Sequence, residues 1–182
     1  MEIRYKIEFL SDWHIGSGLD AGADADNIVL KDENNLPYIP GKTLKGLLKD
    51  ALNEMANVGK VKKELIDKIF GGVTENGSTI AGKAFFKDAV LPENEQKEII
   101  ENNLSDLLYR NIASTKINKK GVAEKNSLRT IQVTIPAVMY SNIILKEDIT
   151  GAEELFEKAF KWLRYIGVNR NRGLGKCIIS KI

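Results

Sequence analysis

The chain opens with alternating apolar and polar residues. In the segment 2–9, Ile3, Tyr5, Ile7 and Phe9 fall on one side of an extended chain, and charged residues fall on the other. A period of two predicts a half-buried β-strand. Further strands are predicted for NIVLKD (27–32), GKAFFKDAVL (82–91), MYSNIILKED (139–148) and GKCIISKI (175–182).

Two longer segments have the helical period. Apolar residues recur at i, i+3, i+4 and i+7 after Pro40-Gly41, and a similar apolar face follows Thr150. Thr150 and Glu153 have the spacing of a capping box, which predicts the start of the second helix. A shorter helix is predicted for 61–72, ending at glycines, and the polar segment 93–111 is compatible with another. The two apolar faces are Leu44, Leu47, Leu48, Ala51, Leu52 and Met55, and Leu155, Phe156, Ala159, Phe160, Leu163 and Ile166.

The segment 113–135, ASTKINKKGVAEKNSLRTIQVTI, begins and ends like a strand around a basic middle that contains a glycine. This pattern predicts a long hairpin with positive charge near its tip. Strands interleaved with two amphipathic helices predict an α+β fold of the ferredoxin-like kind, as one domain over 1–182.

The distribution of charged residues along the chain is more informative than the net charge. The net charge is only +2, but the segment from Arg110 to Arg129 holds six Lys or Arg residues against one acid, Glu124. After Glu157 every charged residue is basic. Clustering of this kind indicates a patch for a polyanion, and a solvated basic face is the alternative.

Cysteine content and targeting signals narrow the class of protein. Cys177 is the only cysteine, which excludes a disulfide framework or a cysteine metal cluster. The alternating N-terminus is unlike a signal peptide, and no apolar run approaches the ~20 residues of a membrane span. We therefore expect a cytoplasmic protein.

His14, in the segment HIGSG (14–18), is the only histidine. It could act as a general base on a ribose 2′-hydroxyl, or be structural. Ser17 is close by, but G-x-S-x-G is absent from a strand–turn–helix setting, so a nucleophilic triad is not supported. HIGSG also lacks the remainder of a P-loop.

An acidic loop follows, with Asp20, Asp24 and Asp26 among small residues. A carboxylate there could ligate a divalent ion such as Mg²⁺ beside a phosphate. The alternative is a solvated loop, since Asp and Gly are also turn residues.

Lys42, Lys45 and Lys49 share one stripe of the helix after Pro40-Gly41, where free N–H groups at the helix start add positive potential. We call these three residues the lysine stripe. The alternative is that lysine is simply a good helix former at the surface.

The glycine-rich loop, GVNRNRGLGK (167–176), combines exposed backbone N–H groups with Arg170, Arg172 and Lys176. These groups suit contacts to phosphates. The loop lies between a predicted helix and a predicted strand. That order is the reverse of the one a dinucleotide-binding fingerprint requires.

Four segments occur in an order that resembles one family: HIGSG, YIPGKTLKGLLKDAL (38–52), NSLRTIQV (126–133) and NRNRGLGK (169–176). Together they resemble the RAMP superfamily, the repeat-associated proteins of CRISPR systems. The nearest resemblance is to the repeated backbone subunit of type III effector complexes.

The resemblance implies a ferredoxin-like core with a protruding β-hairpin thumb at about 112–132. Copies would stack along a CRISPR RNA with other effector subunits and cut complementary target RNA in antiviral defence. The cleaving residue, with a divalent metal, matches Asp26, with Asp24 and Asp20 as the next candidates.

The RNA contacts implied by the resemblance, or proposed above from the residues, lie in the first loop, the lysine stripe, the hairpin and the glycine-rich loop. They are His14, Gly16, Ser17, Lys42, Thr43, Lys45, Lys49, Lys116, Lys119, Arg129, Arg170, Arg172, Gly173, Gly175 and Lys176. Two alternatives stay open. One is a structural RNA-binding subunit without cleavage, and the other is a metal-independent nuclease that processes CRISPR repeat RNA with His14 as base.

Overall fold

The computed structural model describes residues 1–18, 27–73 and 76–182. Within these ranges the chain forms four α-helices and eight β-strands, and all strand pairs are antiparallel. In chain order the elements are β1 (Glu2–Phe9), α1 (Gly41–Asn57), α2 (Lys63–Phe70), β2 (Gly71–Val73), β3 (Thr79–Ala81), β4 (Ala84–Phe86), α3 (Glu93–Glu101), β5 (Tyr109–Ser114), β6 (Arg129–Thr134), β7 (Val138–Leu145), α4 (Ala152–Trp162) and β8 (Cys177–Lys181).

The main sheet has the strand order β4-β7-β1-β8, so the first strand in sequence lies inside the sheet. Ile7 pairs with Met139 on one side and with Ile179 on the other. All three side chains are buried, as the alternation in β1 predicted. The residues that alternate with the buried ones along β1, β7 and β8 form the outer face of the sheet.

Helices α1 and α4 cover the inner face of this sheet. Leu44, Leu48 and Leu52 of α1 are buried, as are Phe156 and Phe160 of α4. The rings of Tyr5 and Phe160 stack with centroids 4.9 Å apart. Each such large apolar side chain contributes about 1.5–3 kcal/mol when fully buried. The predicted apolar faces of α1 and α4 therefore pack in the core of the fold, against the buried residues of the sheet.

Strands β5 and β6 form a separate two-stranded sheet, and with their connection (residues 109–134) we call them the hairpin arm. Asn111 pairs with Gln132, and Ser114 pairs with Arg129. At the tip, the Asn118 carboxamide oxygen accepts hydrogen bonds from the N–H groups of Lys120 (2.9 Å) and Val122 (3.1 Å). This side chain closes the turn. Residues 109–134 therefore form a hairpin, with β5 and β6 as its two strands.

The capping box predicted at Thr150 and Glu153 is wrong. Gly151, with a φ of 82°, occupies the N-cap position, and no side chain caps the helix. The glycine turns the chain into α4 one residue later than Thr150 would require. The helix also ends at Trp162, so the buried residues Leu163 and Ile166 lie beyond it.

Three other predicted elements differ from the structure. The strand predicted for 82–91 is shorter and comprises only Ala84–Phe86. The NIVLKD segment pairs only through isolated bridges, at Asn27, Val29 and Lys31. Helix α3 ends at Glu101 because Asn103 adopts a left-handed conformation (φ 54°). Residues 109–111 then belong to β5 and not to a helix. Among the described residues, no helix is both long and apolar enough to cross a bilayer.

We predict opposite stability changes for two Gly→Ala substitutions in α1. A Cβ at Gly41 would lie 2.0 Å from the Phe86 carbonyl oxygen, whereas a Cβ at Gly46 meets nothing within 4 Å. Gly41→Ala should destabilise the protein by about 1–3 kcal/mol through overpacking. Gly46→Ala should stabilise it by about 0.5–1 kcal/mol through helix propensity.

Thermal unfolding of the two variants and the wild type checks this prediction. A change of 1 kcal/mol corresponds to about 2–4 °C in Tm for a chain of this size. Equal Tm values for the two variants would contradict the close approach of α1 to β4.

Candidate nucleic-acid interface

The first loop (residues 10–18) follows β1 and is hydrogen-bonded to the base of the hairpin arm. Trp13 and Thr134 exchange two backbone hydrogen bonds of 3.0 and 2.8 Å. The Trp13 indole also donates to the carbonyl oxygen of Ile135 (3.1 Å). The first loop, which continues from β1 of the core sheet, is therefore held against the hairpin arm by these hydrogen bonds.

The opposite side of the first loop is hydrogen-bonded to the glycine-rich loop. The N–H of Val168 donates to His14 O (3.1 Å), and the N–H of Gly175 donates to Asp12 O (2.7 Å). A Cβ at Gly167 would lie 2.3 Å from His14 O, and one at Gly175 would lie 1.9 Å from the Ile166 carbonyl oxygen. Both glycines also have positive φ values. They are needed for close packing, and the N–H of Gly175 is already bonded within the protein.

Gly173 differs from these two glycines. It has a φ of 86°, and an added Cβ would meet nothing within 4 Å. It ends the short 3₁₀ turn Arg170–Arg172, whose residues are exposed. Lys176 is also exposed, and its backbone N–H donates to Ser11 Oγ (3.0 Å). The loop therefore presents its arginine and lysine side chains to solvent on a fixed backbone.

Arg172 and the hairpin arm line a common cavity of about 520 Å³, which we call the hairpin cavity. The lining side chains include four cations and one acid, Glu124, whose carboxylate lies 2.9 Å from Lys116 Nζ. Residues of both basic segments of the sequence therefore line the hairpin cavity. Its lining residues are Ser114, Thr115, Lys116, Glu124, Lys125, Asn126, Ser127, Arg129 and Arg172. Lys119 lies nearer the hairpin tip and is exposed.

The lysine stripe faces a different depression, of about 470 Å³, formed with β2 and β3. Lys49 Nζ donates to the carbonyl oxygen of Gly71 (2.6 Å). The Asp88 carboxylate accepts from the N–H of Gly41 (2.7 Å), and the N–H of Thr43 donates to Pro40 O (2.9 Å). Part of the positive potential expected at the start of α1 is thus neutralised within the protein. Lys42 remains exposed and Lys45 half-buried.

His14 is buried, with 2% of its surface exposed. Its Nδ1 lies 2.6 Å from the carbonyl oxygen of Gln132. A carbonyl only accepts, so Nδ1 carries the hydrogen and Nε2 is the acceptor of the neutral ring. Burial lowers the pKa of His14 below its ordinary value, and the bond to Gln132 opposes this in part. The ring ties the first loop to β6 and does not present itself to solvent.

Gly16 and Ser17 lie where the first loop meets the segment after the acidic loop. The N–H of Ser17 donates to Ile28 O (3.1 Å), and Gly16 bridges Val29. Gly16 is exposed. The HIGSG segment is therefore a structural partner of residues 28–30 as well as a candidate surface for RNA.

Asp20, Asp24 and Asp26 lie outside the described residues. The described residues resume at Asn27, whose carbonyl oxygen accepts a hydrogen bond from the N–H of Gln132 (2.9 Å). The Gln132 side-chain oxygen also accepts from the N–H of Val29 (3.4 Å). In the described parts of the chain, no group of three or more acidic, histidine or cysteine side chains could hold a metal ion.

The sequence reasoning missed one ion pair, between Asp12 and Arg110. Arg110 Nε donates to Asp12 Oδ2 (2.7 Å), and its Nη2 donates to the same oxygen. Asp12 is buried, whereas the Arg110 side chain is 63% exposed. The partners are 98 residues apart, so no local spacing in the sequence indicates the pair.

A family model and a curated relative both match nearly the whole chain. A model of the RAMP superfamily matches residues 6–178. The CRISPR system Cms endoribonuclease Csm3 of Streptococcus thermophilus is 26% identical over 97% of this chain and 88% of its own length.

Two solved structures share the fold. A chain of the cryo-EM structure of the type III-B Cmr-beta bound to cognate target RNA has a TM-score of 0.75 and 13% identity. A chain of the apo-state type III-B Cmr-beta structure has a TM-score of 0.75 and 15% identity. Each match covers 100% of this chain and 97% of the other.

We predict that His14 makes the folded state sensitive to acid. The folded-state pKa of His14 is below the ordinary value of about 6.5. At a pH between these two pKa values the unfolded chain therefore binds a proton on His14 that the folded chain does not. This contribution to stability is complete above pH ~6.5 and is lost as the pH falls toward the folded-state pKa.

His14→Asn keeps a donor for Gln132 O but does not titrate. Its free energy of unfolding, measured by denaturant titration between pH ~7 and ~5, should fall less than that of the wild type. The variant will be less stable at every pH, since the ring is buried, so the slope is the readout. Parallel pH curves would contradict the prediction.

Proposed function

The chain belongs to the RAMP superfamily, and we propose that it is an RNA-binding backbone subunit of a type III CRISPR effector complex that cleaves complementary target RNA. The observation that carries the proposal is the hairpin cavity, which is lined both by Arg129 of the hairpin arm and by Arg172 of the glycine-rich loop. The similarity to a relative named an endoribonuclease supports cleavage of RNA as the activity.

The topology supports the finer description of the fold. Strand β1 is followed by α1, strand β8 is preceded by α4, and the sheet order is β4-β7-β1-β8. This arrangement fits a ferredoxin-like core in which two β-α units interleave. The hairpin arm, inserted between β4 and β7 and paired as its own sheet, fits the thumb.

The interface has the chemistry of a surface that holds a phosphate backbone. Arginine and lysine bind phosphates by charge-assisted hydrogen bonds, and such contacts fix register without reading bases. Pairing between guide and target would then supply sequence specificity. The exposed large apolar residues of the hairpin arm, Ile117, Val122 and Leu128, fit a thumb that inserts into the guide–target duplex.

We assign cleavage to Asp26, with Asp24 and Asp20 as the next candidates. A carboxylate at this position would accept the proton of a ribose 2′-hydroxyl while the hydroxyl oxygen attacks the adjacent phosphorus. The bond from phosphorus to the 5′-oxygen would break, which leaves a 2′,3′-cyclic phosphate on one product and a 5′-oxygen that takes a proton from water on the other. Support comes from the next residue, Asn27, whose carbonyl oxygen accepts a hydrogen bond from the N–H of Gln132 in the hairpin arm. A divalent cation such as Mg²⁺, if held by Asp26, would stabilise negative charge on the phosphate.

Arg129→Gln combined with Arg172→Gln should weaken binding of a guide-length single-stranded RNA. Removing one phosphate-binding cation should reduce the slope of log affinity against log salt by about 0.7, so removing both should reduce it by about 1.4. Filter binding at several salt concentrations gives both the affinity and the slope. Arg4→Gln removes an exposed arginine from the outer face of the sheet and is the control. Equal effects in the double variant and the Arg4 variant would contradict a defined interface.

Asp26→Asn should abolish cutting of complementary RNA by the assembled ribonucleoprotein while RNA binding is unchanged. Labelled target RNA with Mg²⁺, or with a chelator, gives the rate and the cut positions, and Asp24→Asn and Asp20→Asn are the comparisons. Full-rate cutting in all three variants would contradict the assignment to the acidic loop. Tight binding with no cutting by the wild type would favour a structural subunit.

A further inference from the structure

We propose that Arg110 is a pre-positioned phosphate anchor of the RNA interface and that buried Asp12 is the residue that positions it. The proposal rests on the proposed function, because it assigns an additional contact to the same RNA. Arg110 was seen in the sequence only as one member of a basic segment.

The first observation is the burial of Asp12. The residue is 6% exposed, and one of its oxygens, Oδ1, has no hydrogen-bond partner within the described structure. The other oxygen, Oδ2, accepts both bonds from Arg110. A buried carboxylate is costly unless it is paired, so the folded protein strongly favours the arginine in this one position.

The second observation is the exposure of Arg110. Its side chain remains 63% exposed although its charge is paired with a buried group. A guanidinium has five N–H donors, and Asp12 engages Nε and Nη2. The donors that Asp12 leaves free belong to a rigid planar group that Asp12 holds in place. Such a fork matches a phosphate better than a mobile ammonium does.

The strand register gives the direction in which the side chain lies. Arg110 pairs with Val133, and Ser114 pairs with Arg129. Residues 110 and 114 are on the same face of β5, and opposite residues of an antiparallel pair share a face. Arg110 is therefore on the face that carries Arg129, about 13 Å along the strand from it.

Arg129 in turn lines the hairpin cavity with Arg172. Arg110, near the base of the hairpin arm, therefore lies on the same face as Arg129, and Arg129 shares the hairpin cavity with Arg172. A strand of RNA that lies along this face would meet Arg110 first and the cavity next. The ligand chemistry is a phosphodiester, and the contact carries no base specificity.

Pre-positioning explains why the pair joins a buried and an exposed group. A free arginine loses rotamer freedom when it binds, whereas one already held by Asp12 loses less. Asp12 acts only through Arg110 in this account. Removing Asp12 should therefore have no effect on RNA binding once Arg110 is gone.

The test compares Arg110→Gln, Asp12→Asn, the double variant Asp12→Asn/Arg110→Gln, and Arg4→Gln as the charge control. The probe is the labelled guide-length single-stranded RNA, titrated at several salt concentrations. Asp12→Asn keeps the side-chain shape, and thermal unfolding establishes that each variant is folded. If Asp12→Asn does not fold, Arg110→Gln and Arg110→Lys still test the anchor.

We expect Arg110→Gln to weaken RNA binding roughly tenfold and to reduce the salt slope by about 0.7. Arg110→Lys should recover only part of the affinity, because an ammonium lacks the fork. Asp12→Asn should weaken binding less than Arg110→Gln, and the double variant should match Arg110→Gln alone. Arg4→Gln should bind as the wild type does.

Wild-type affinity and salt slope in Arg110→Gln would overturn the anchor. Additive effects in the double variant would overturn the positioning role of Asp12. Either result leaves the proposed function intact if the double variant Arg129→Gln/Arg172→Gln binds RNA more weakly than the wild type does. Absence of RNA binding by the wild-type chain and by its assembled complex would instead refute the proposed function itself.

Discussion

The candidate interface depends on one short piece of backbone, residues 12–14, that is hydrogen-bonded on both sides. One side is paired with Thr134 at the base of the hairpin arm, and the other accepts from Gly175 and Val168 of the glycine-rich loop. The approach is so close that a side chain at Gly167 would clash with the carbonyl oxygen of His14, and the backbone at Gly175 is fixed by a similar close approach to the carbonyl oxygen of Ile166. This constraint brings two basic segments, distant in sequence, to one surface.

The same junction explains how a nearly neutral protein can present a basic surface. The net charge is only +2, and the four glutamates of α3 offset part of the basic charge. Cations line the hairpin cavity, and Glu124 is its one acidic lining residue. Affinity for a phosphate backbone is determined by such local charge and not by the net charge.

Local patterns were enough to predict most of the fold. The alternation in β1 and the helical faces of α1 and α4 record burial directly, because a strand or a helix repeats its buried positions at a fixed spacing. The bridges at Asn27 and Val29 were mistaken for a strand because their pairing depends on Ile131 and Gly16. Thr150 had the right spacing for a cap, but Gly151 occupies the position.

The site was predictable in part for the same reason. Charge clusters and glycines in the sequence indicated the hairpin arm and the glycine-rich loop, and the structure places Arg129 and Arg172 at one cavity. The burial of His14, the close approach of Gly167 to His14 and the Asp12–Arg110 pair depend on contacts across 98 residues or more. No pattern within a short window encodes such contacts.

Hydrogen–deuterium exchange of the chain with and without guide-length RNA tests whether the hairpin arm and the glycine-rich loop form the RNA interface. We predict slower exchange on RNA binding in the hairpin arm and in residues 167–176. Exchange in α3, which lies in the acidic region of the chain, should be unchanged. Protection confined to α3 or to β4, with none in the hairpin arm, would contradict an RNA interface built on the junction at residues 12–14.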